Sequence, residues 1–143
     1  MRTAYIQAVV AILGGLLAEE SALAAGPPSI AAVRNSASYS SVIAPGTLIS
    51  IFGDGLSADT LVADRLPLPT KLAGTTAKAG SVELPLHYVS PKQINALLPL
   101  GIPTRETTVE GRRAEVVDIT VTTQAGTSAP AMVVLSALAP GLY

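Results

Sequence analysis

The chain has 143 residues, 49% of them hydrophobic and 13% charged, with a formal net charge of -1. That length is one domain's worth, the apolar fraction is too high for a disordered chain, and the charge balance argues against nucleic acid, because neutralising phosphates needs an excess of Lys and Arg. With no cysteine, no tryptophan and one histidine, the composition excludes disulfides and thiolate zinc sites and leaves few platforms for stacking sugars.

Arg2 supplies a positive start, residues 8–18 are apolar apart from Gly14 and Gly15, and Glu19-Glu20-Ser21 ends the run before Ala22-Leu23-Ala24. This is the order of a secretory signal peptide over residues 1–24, cleaved near Ala24 or Ala25. The run is shorter than the roughly 20 apolar residues of a membrane span. The expectation is therefore no membrane span after cleavage and a secreted, cell-surface or periplasmic destination. Removing Arg2 from the nine Lys/Arg and Glu19 and Glu20 from the ten Asp/Glu leaves the two signs equal over residues 25–143. An exported domain without disulfides must stand on its core alone.

Beyond the leader, helical periodicity is absent and short β-branched runs alternate with turn residues. The first strand is expected over residues 30–34, followed by a Ser/Asn-rich loop over 35–41. Ala44-Pro45-Gly46 is a turn, since proline presets φ and glycine accepts a positive one. It feeds a strand over 47–52, where period two places Thr47, Ile49 and Ile51 toward the core and Leu48, Ser50 and Phe52 outward. Gly53-Asp54-Gly55 ends it.

From 58 to 70 the pattern fades, and Leu66-Pro67-Leu68-Pro69 reads as a polyproline-II connector. A hairpin follows, with arms over 75–78 and 82–84 about Ala79-Gly80-Ser81. Residues 86–89 continue its return arm, with Pro85 marking an edge or bulge. Ser90-Pro91-Lys92 turns the chain into a strand in which Ile94, Ala96 and Leu98 face the core. Residues 104–113 read as a charged loop. Val117, Ile119 and Val121 then alternate with Asp118, Thr120 and Thr122, the mark of a strand half buried against a core. A turn over 124–127 leads to a last strand over 131–135. The sum is an all-β, immunoglobulin-like two-sheet β-sandwich, with a closed barrel as the alternative.

Five phrases carry a resemblance by their order and spacing: Asn35-Ser36-Ala37-Ser38-Tyr39, the run from Ala44-Pro45-Gly46-Thr47 to Ile51-Phe52-Gly53, Leu68-Pro69-Thr70-Lys71-Leu72-Ala73-Gly74, Tyr88-Val89-Ser90-Pro91-Lys92-Gln93-Ile94-Asn95, and Ala139-Pro140-Gly141-Leu142-Tyr143. Together they resemble the first half of the Solibacter uncharacterised C-terminal domain family, and the second phrase is also similar to IPT/TIG domains. The resemblance implies an extracellular immunoglobulin-like domain with no catalytic residues to carry over. It also implies a second β-rich half beyond the last phrase, so the chain is expected to be a minimal or truncated relative.

The residues with chemistry are few. His87 is the one imidazole, with Ser90 three residues on. A nucleophilic site would need that histidine, a serine within reach and an orienting carboxylate, yet no Gly-x-Ser-x-Gly elbow exposes a serine. Asp54, Asp59 and Asp64 recur along one stretch and are candidate Ca²⁺ ligands, but they lack the ligand alternation of an EF-hand loop and read more simply as solvated carboxylates. Glu83, Glu115 and Asp118 are the carboxylates from which a glycosidase pair would be drawn. The expected function is a non-enzymatic secreted or cell-surface module, a spacer or docking domain for other extracellular domains or surface proteins, with no cofactor. Its contact face is expected at Leu48, Phe52, Val133 and Leu135. Weak Ca²⁺ or carbohydrate binding is the alternative, and a secreted hydrolase using His87 the more distant one.

Overall fold

The computed structural model describes residues 26–136; the leader over 1–24 and the phrase ending at Tyr143 lie outside them. The strands are β1 (Ser29–Asn35), β2 (Val42–Ile43), β3 (Leu48–Asp54), β4 (Leu61–Val62), β5 (Thr76–Ala79), β6 (Val82–Glu83), β7 (Leu86–Val89), β8 (Gln93–Leu97), β9 (Arg105–Val109), β10 (Arg112–Thr123), β11 (Gly126–Thr127) and β12 (Ala131–Leu135). They form two sheets. One has the order β1-β3-β8-β7-β4; the other has the path β2-β12-β10-β5-β6, with β9 and β11 also paired to β10. The chain is an all-β two-sheet sandwich, as its alternating runs predict.

The core is what alternation places between the sheets. Ile49 and Ile51 of β3, Ile94 and Ala96 of β8, and Leu86 and Val89 of β7 pack with Ala77, Ala79, Val117, Ile119 and Val121 of the opposite sheet. Leu56, Leu72, Leu84 and Leu98 extend this cluster from the strand ends and connections. Each fully buried Leu or Ile contributes about 1.5–3 kcal/mol, which is how a cysteine-free domain holds together.

Long β10 organises the second sheet. Along one edge it pairs first with β9 and then with β5; along the other, first with β12 and then with β11. The parallel pair of β12 with β2 joins Val134 to Val42 and Leu135 to Ile43.

Four expectations change. Residues 104–113 are not a loop: β9 and the start of β10 form a hairpin with Val109 opposite Arg112. Glu110 and Gly111 turn it with φ of 50° and 79°, the left-handed pair of a two-residue hairpin turn. Residues 86–89 do not extend the hairpin of β5 and β6. The Leu84 N–H still bonds to Ala77 in one sheet, whereas the Leu86 N–H bonds to Pro69 and the Pro85 carbonyl receives Leu97. Proline, having no donor to leave behind, is where the chain crosses between sheets. The stretch read as featureless holds β4, a two-residue edge strand antiparallel to β7.

The fourth correction concerns the last strand. Val133 and Leu135 are 4% and 9% exposed and belong to the core. Val133 pairs with Val117, and Ala131 with Ile119; directly opposed residues share a face, and that face is the inner one. The outward residues of β12 are Met132 and Val134, with Met132 half exposed.

Candidate functional site

The outer face of the five-stranded sheet follows from strict alternation. Leu48, Ser50 and Phe52 stand opposite Leu97, Asn95 and Gln93 on β8, while Ser50 and Phe52 stand opposite Arg34 and Ala32 on β1. Tyr88 of β7 joins them by pairing with Asn95. Leu48 and Phe52 thus point outward as expected, yet each is half-buried, because Leu97, Gln93 and their other neighbours on the sheet cover their flanks.

A polar row runs across the middle of this face. The Ser50 hydroxyl donates to Asn95 Oδ1 at 3.0 Å, and Gln93 Nε2 donates to the same oxygen at 2.9 Å. Ser36 Oγ lies 2.8 Å from Ser50 Oγ. Ser50 has one hydroxyl proton and gives it to Asn95, so Ser36 is the donor to Ser50. Ser50 is 3% exposed, and the row pins β1, β3 and β8 in register with the apolar side chains around it.

Asn35 positions Ser36. Its Oδ1 accepts the N–H groups of Ala37 and Ser38 at 2.9 and 3.1 Å, and the Tyr39 N–H returns to its carbonyl. Tyr39 can then take a φ of 59°. The sequence signal was present, since Asn is the residue that mimics a backbone turn, but its full burial was not expected from a Ser/Asn-rich loop.

A second feature lies at one end of the sandwich. A cavity of about 530 Å³ is walled by Gly26, by Gly55 to Asp59 without Leu56, by Ala73 to Thr75, and by Thr123 to Ala125. Two of its hydroxyls are engaged: Ser57 donates to the Asp59 carbonyl at 2.8 Å and Thr75 to the Leu56 carbonyl at 3.0 Å. Asp59 is the one charged residue in its wall.

The remaining candidates do not assemble. His87 is exposed at the bulge where the register of β7 and β8 shifts, and its carbonyl receives the Ala63 N–H. Ser90 is occupied by its own turn, donating to the Gln93 carbonyl at 3.2 Å and accepting the Gln93 N–H at 3.0 Å. Asp54 pairs with Lys92, Asp59 lines the cavity and Asp64 is exposed. Among the described residues, no three His, Asp or Glu side chains are grouped to hold a metal ion. Asp118 is held by Arg105, whose Nη2 lies 3.1 and 3.3 Å from its two oxygens, while Glu83 stands opposite Lys78. No helix among the described residues is long and apolar enough to cross a membrane.

No protein-family model matches the chain, and no curated protein is similar to it. Among solved structures, a chain from Bacteroides vulgatus named "Putative bacterial DNA binding protein" is similar at 13% identity and a TM-score of 0.39. The match covers 76% of this chain and 47% of that one, so the chain spans about half the length of that protein.

Proposed function

We propose that this chain is an immunoglobulin-like module of an exported protein that works by contact and not by catalysis, with the outer face of the five-stranded sheet as its docking surface. The carrying observation is that Leu48, Phe52, Tyr88 and Leu97, all partly exposed, surround a hydrogen-bonded polar row on one sheet face. Such a mixture suits a protein partner: aromatic and aliphatic side chains supply desolvation, and pre-ordered polar groups lower the ordering cost of binding. The leader pattern over residues 1–24 supports an exported location, so the partner is another extracellular domain or surface protein.

The test places a photo-crosslinking amino acid at Tyr88 in cells that export the protein, with and without Phe52→Asp. The parent is expected to form an adduct with a second extracellular protein, and Phe52→Asp to lose it while keeping the parent's circular dichroism and a thermal midpoint within about 4 °C, the shift that roughly 1 kcal/mol produces in a domain of this size. An unfolded Phe52→Asp protein would place Phe52 in the core and overturn the assignment, as would a parent that forms no adduct.

A further inference from the structure

One line of directly opposed residues crosses all five strands of the first sheet. Arg34 of β1 stands opposite Ser50 of β3, Ser50 opposite Asn95 of β8, Asn95 opposite Tyr88 of β7, and Tyr88 opposite Val62 of β4. Opposed residues share a face, so the line lies on the outer surface, with a cation at one end and Tyr88 and Val62 at the other. Arg34 is the only Lys or Arg in these five strands, and Asp54 the only carboxylate. Asp54 is taken by Lys92. Arg34 is half-buried, yet no acceptor among the described residues pairs with its guanidinium. Asn95 adds to the surplus of donors: its Oδ1 already accepts from Ser50 and Gln93, which leaves its Nδ2 to donate.

We infer that the partner docked on this face supplies a carboxylate, an Asp or Glu side chain, to Arg34. The inference rests on the docking surface proposed above and names the chemistry that surface selects. A partner that covers Leu48, Phe52 and Tyr88 removes water from Arg34 as well, and a guanidinium covered without an acceptor strongly opposes binding. A carboxylate offsets that cost and matches the planar fork of donors, two N–H groups to its two oxygens. A second copy of this chain fits less well, because the same face brings another Arg34 and no spare carboxylate. An anionic lipid surface also fits less well, since it is held by clusters of roughly four to eight Lys and Arg and not by one.

The experiment extends the crosslinking in exporting cells with two substitutions of Arg34. Arg34→Lys keeps the charge and adds an amine that a carbodiimide joins to a neighbouring carboxylate as an amide, with loss of water. The photo-crosslinker at Tyr88, three strands and roughly 14 Å away, reports another part of the same contact. After carbodiimide treatment, Arg34→Lys is expected to be linked through residue 34 to an Asp or Glu of the protein that position 88 captures. Arg34→Glu is expected to lower the position-88 yield roughly tenfold or more while keeping the parent's circular dichroism. An unchanged yield in folded Arg34→Glu overturns this inference and leaves the docking surface standing. So does capture at position 88 by Arg34→Lys without a link at residue 34. If Arg34→Glu does not fold, the residue-34 link alone decides. No adduct at position 88, or capture there of lipid or a second copy alone, overturns both.

Discussion

A Cβ built on Gly53 would sit 1.9 Å from the Ser29 carbonyl oxygen and 3.1 Å from Ile30 Cα. Both neighbours are backbone, at the place where the register of β1 against β3 shifts between Ile30 and Ala32, so neither can turn aside as a flexible side chain would. Glycine here is a requirement of close strand approach, whereas the sequence suggested a simple turn at Gly53-Asp54-Gly55. Gly53→Ala is expected to cost about 3 kcal/mol through forced separation of β1 from β3. Urea unfolding that gives a midpoint equal to the parent's would show that the bulge can open freely. Other single residues were equally hard to read for the same reason. Asn35 and Ser50 are polar and therefore look exposed in sequence; both are buried, Ser50 with its hydroxyl bonded to Asn95 on the neighbouring strand and Asn35 with its Oδ1 accepting two N–H groups of the turn while its Nδ2 has no hydrogen-bond partner.

At the level of the strand, sequence orients an element only when its two faces differ. In β3, β8 and β10 they do, and Ile49, Ile51, Ile94, Ala96, Val117, Ile119 and Val121 all lie in the core as their alternation predicts. In β12 the run Ala131-Met132-Val133-Val134-Leu135 is apolar at both parities, so period two cannot choose, and the register against β10 decides. That register gives a sharp contrast. Val133→Asp should leave the protein unfolded or nearly so, because it buries an unpaired carboxylate among core side chains. Met132→Asp, one position away, should stay within about 0.5 kcal/mol of the parent. Chemical denaturation of the two variants checks it, and equal stabilities would mean that β12 pairs in the opposite register. The β9–β10 hairpin carries no alternation signal for a related reason. Arg105, Glu106, Thr108, Arg112 and Arg113 are exposed, so both arms read as solvated loop, and only Glu110-Gly111 marks the turn.

For the molecule as a whole, turn spacing and alternation were enough to give two packed sheets, but not which outer face is suited to a partner. The outer face of the seven-stranded sheet carries Lys78, Asp118 and Thr120 with the Arg105–Asp118 pair, beside exposed Val42 and Met132. The outer face of the five-stranded sheet carries Arg34 among Leu48, Phe52, Tyr88 and Leu97. Interface centres are poor in charge and rich in aromatic side chains, so the second face is the better candidate although its apolar residues are the less exposed. Charge placed on each face separates them. Leu97→Lys should reduce crosslinking from Tyr88 roughly tenfold, the equivalent of ~1.4 kcal/mol in affinity, because a buried ammonium without a partner opposes closure of the interface. Met132→Lys should leave the yield unchanged, since its side chain belongs to the opposite sheet. A yield that falls with Met132→Lys and survives Leu97→Lys would move the docking surface to the seven-stranded sheet and leave the polar row of Ser36, Ser50, Asn95 and Gln93 as a device for holding strands in register.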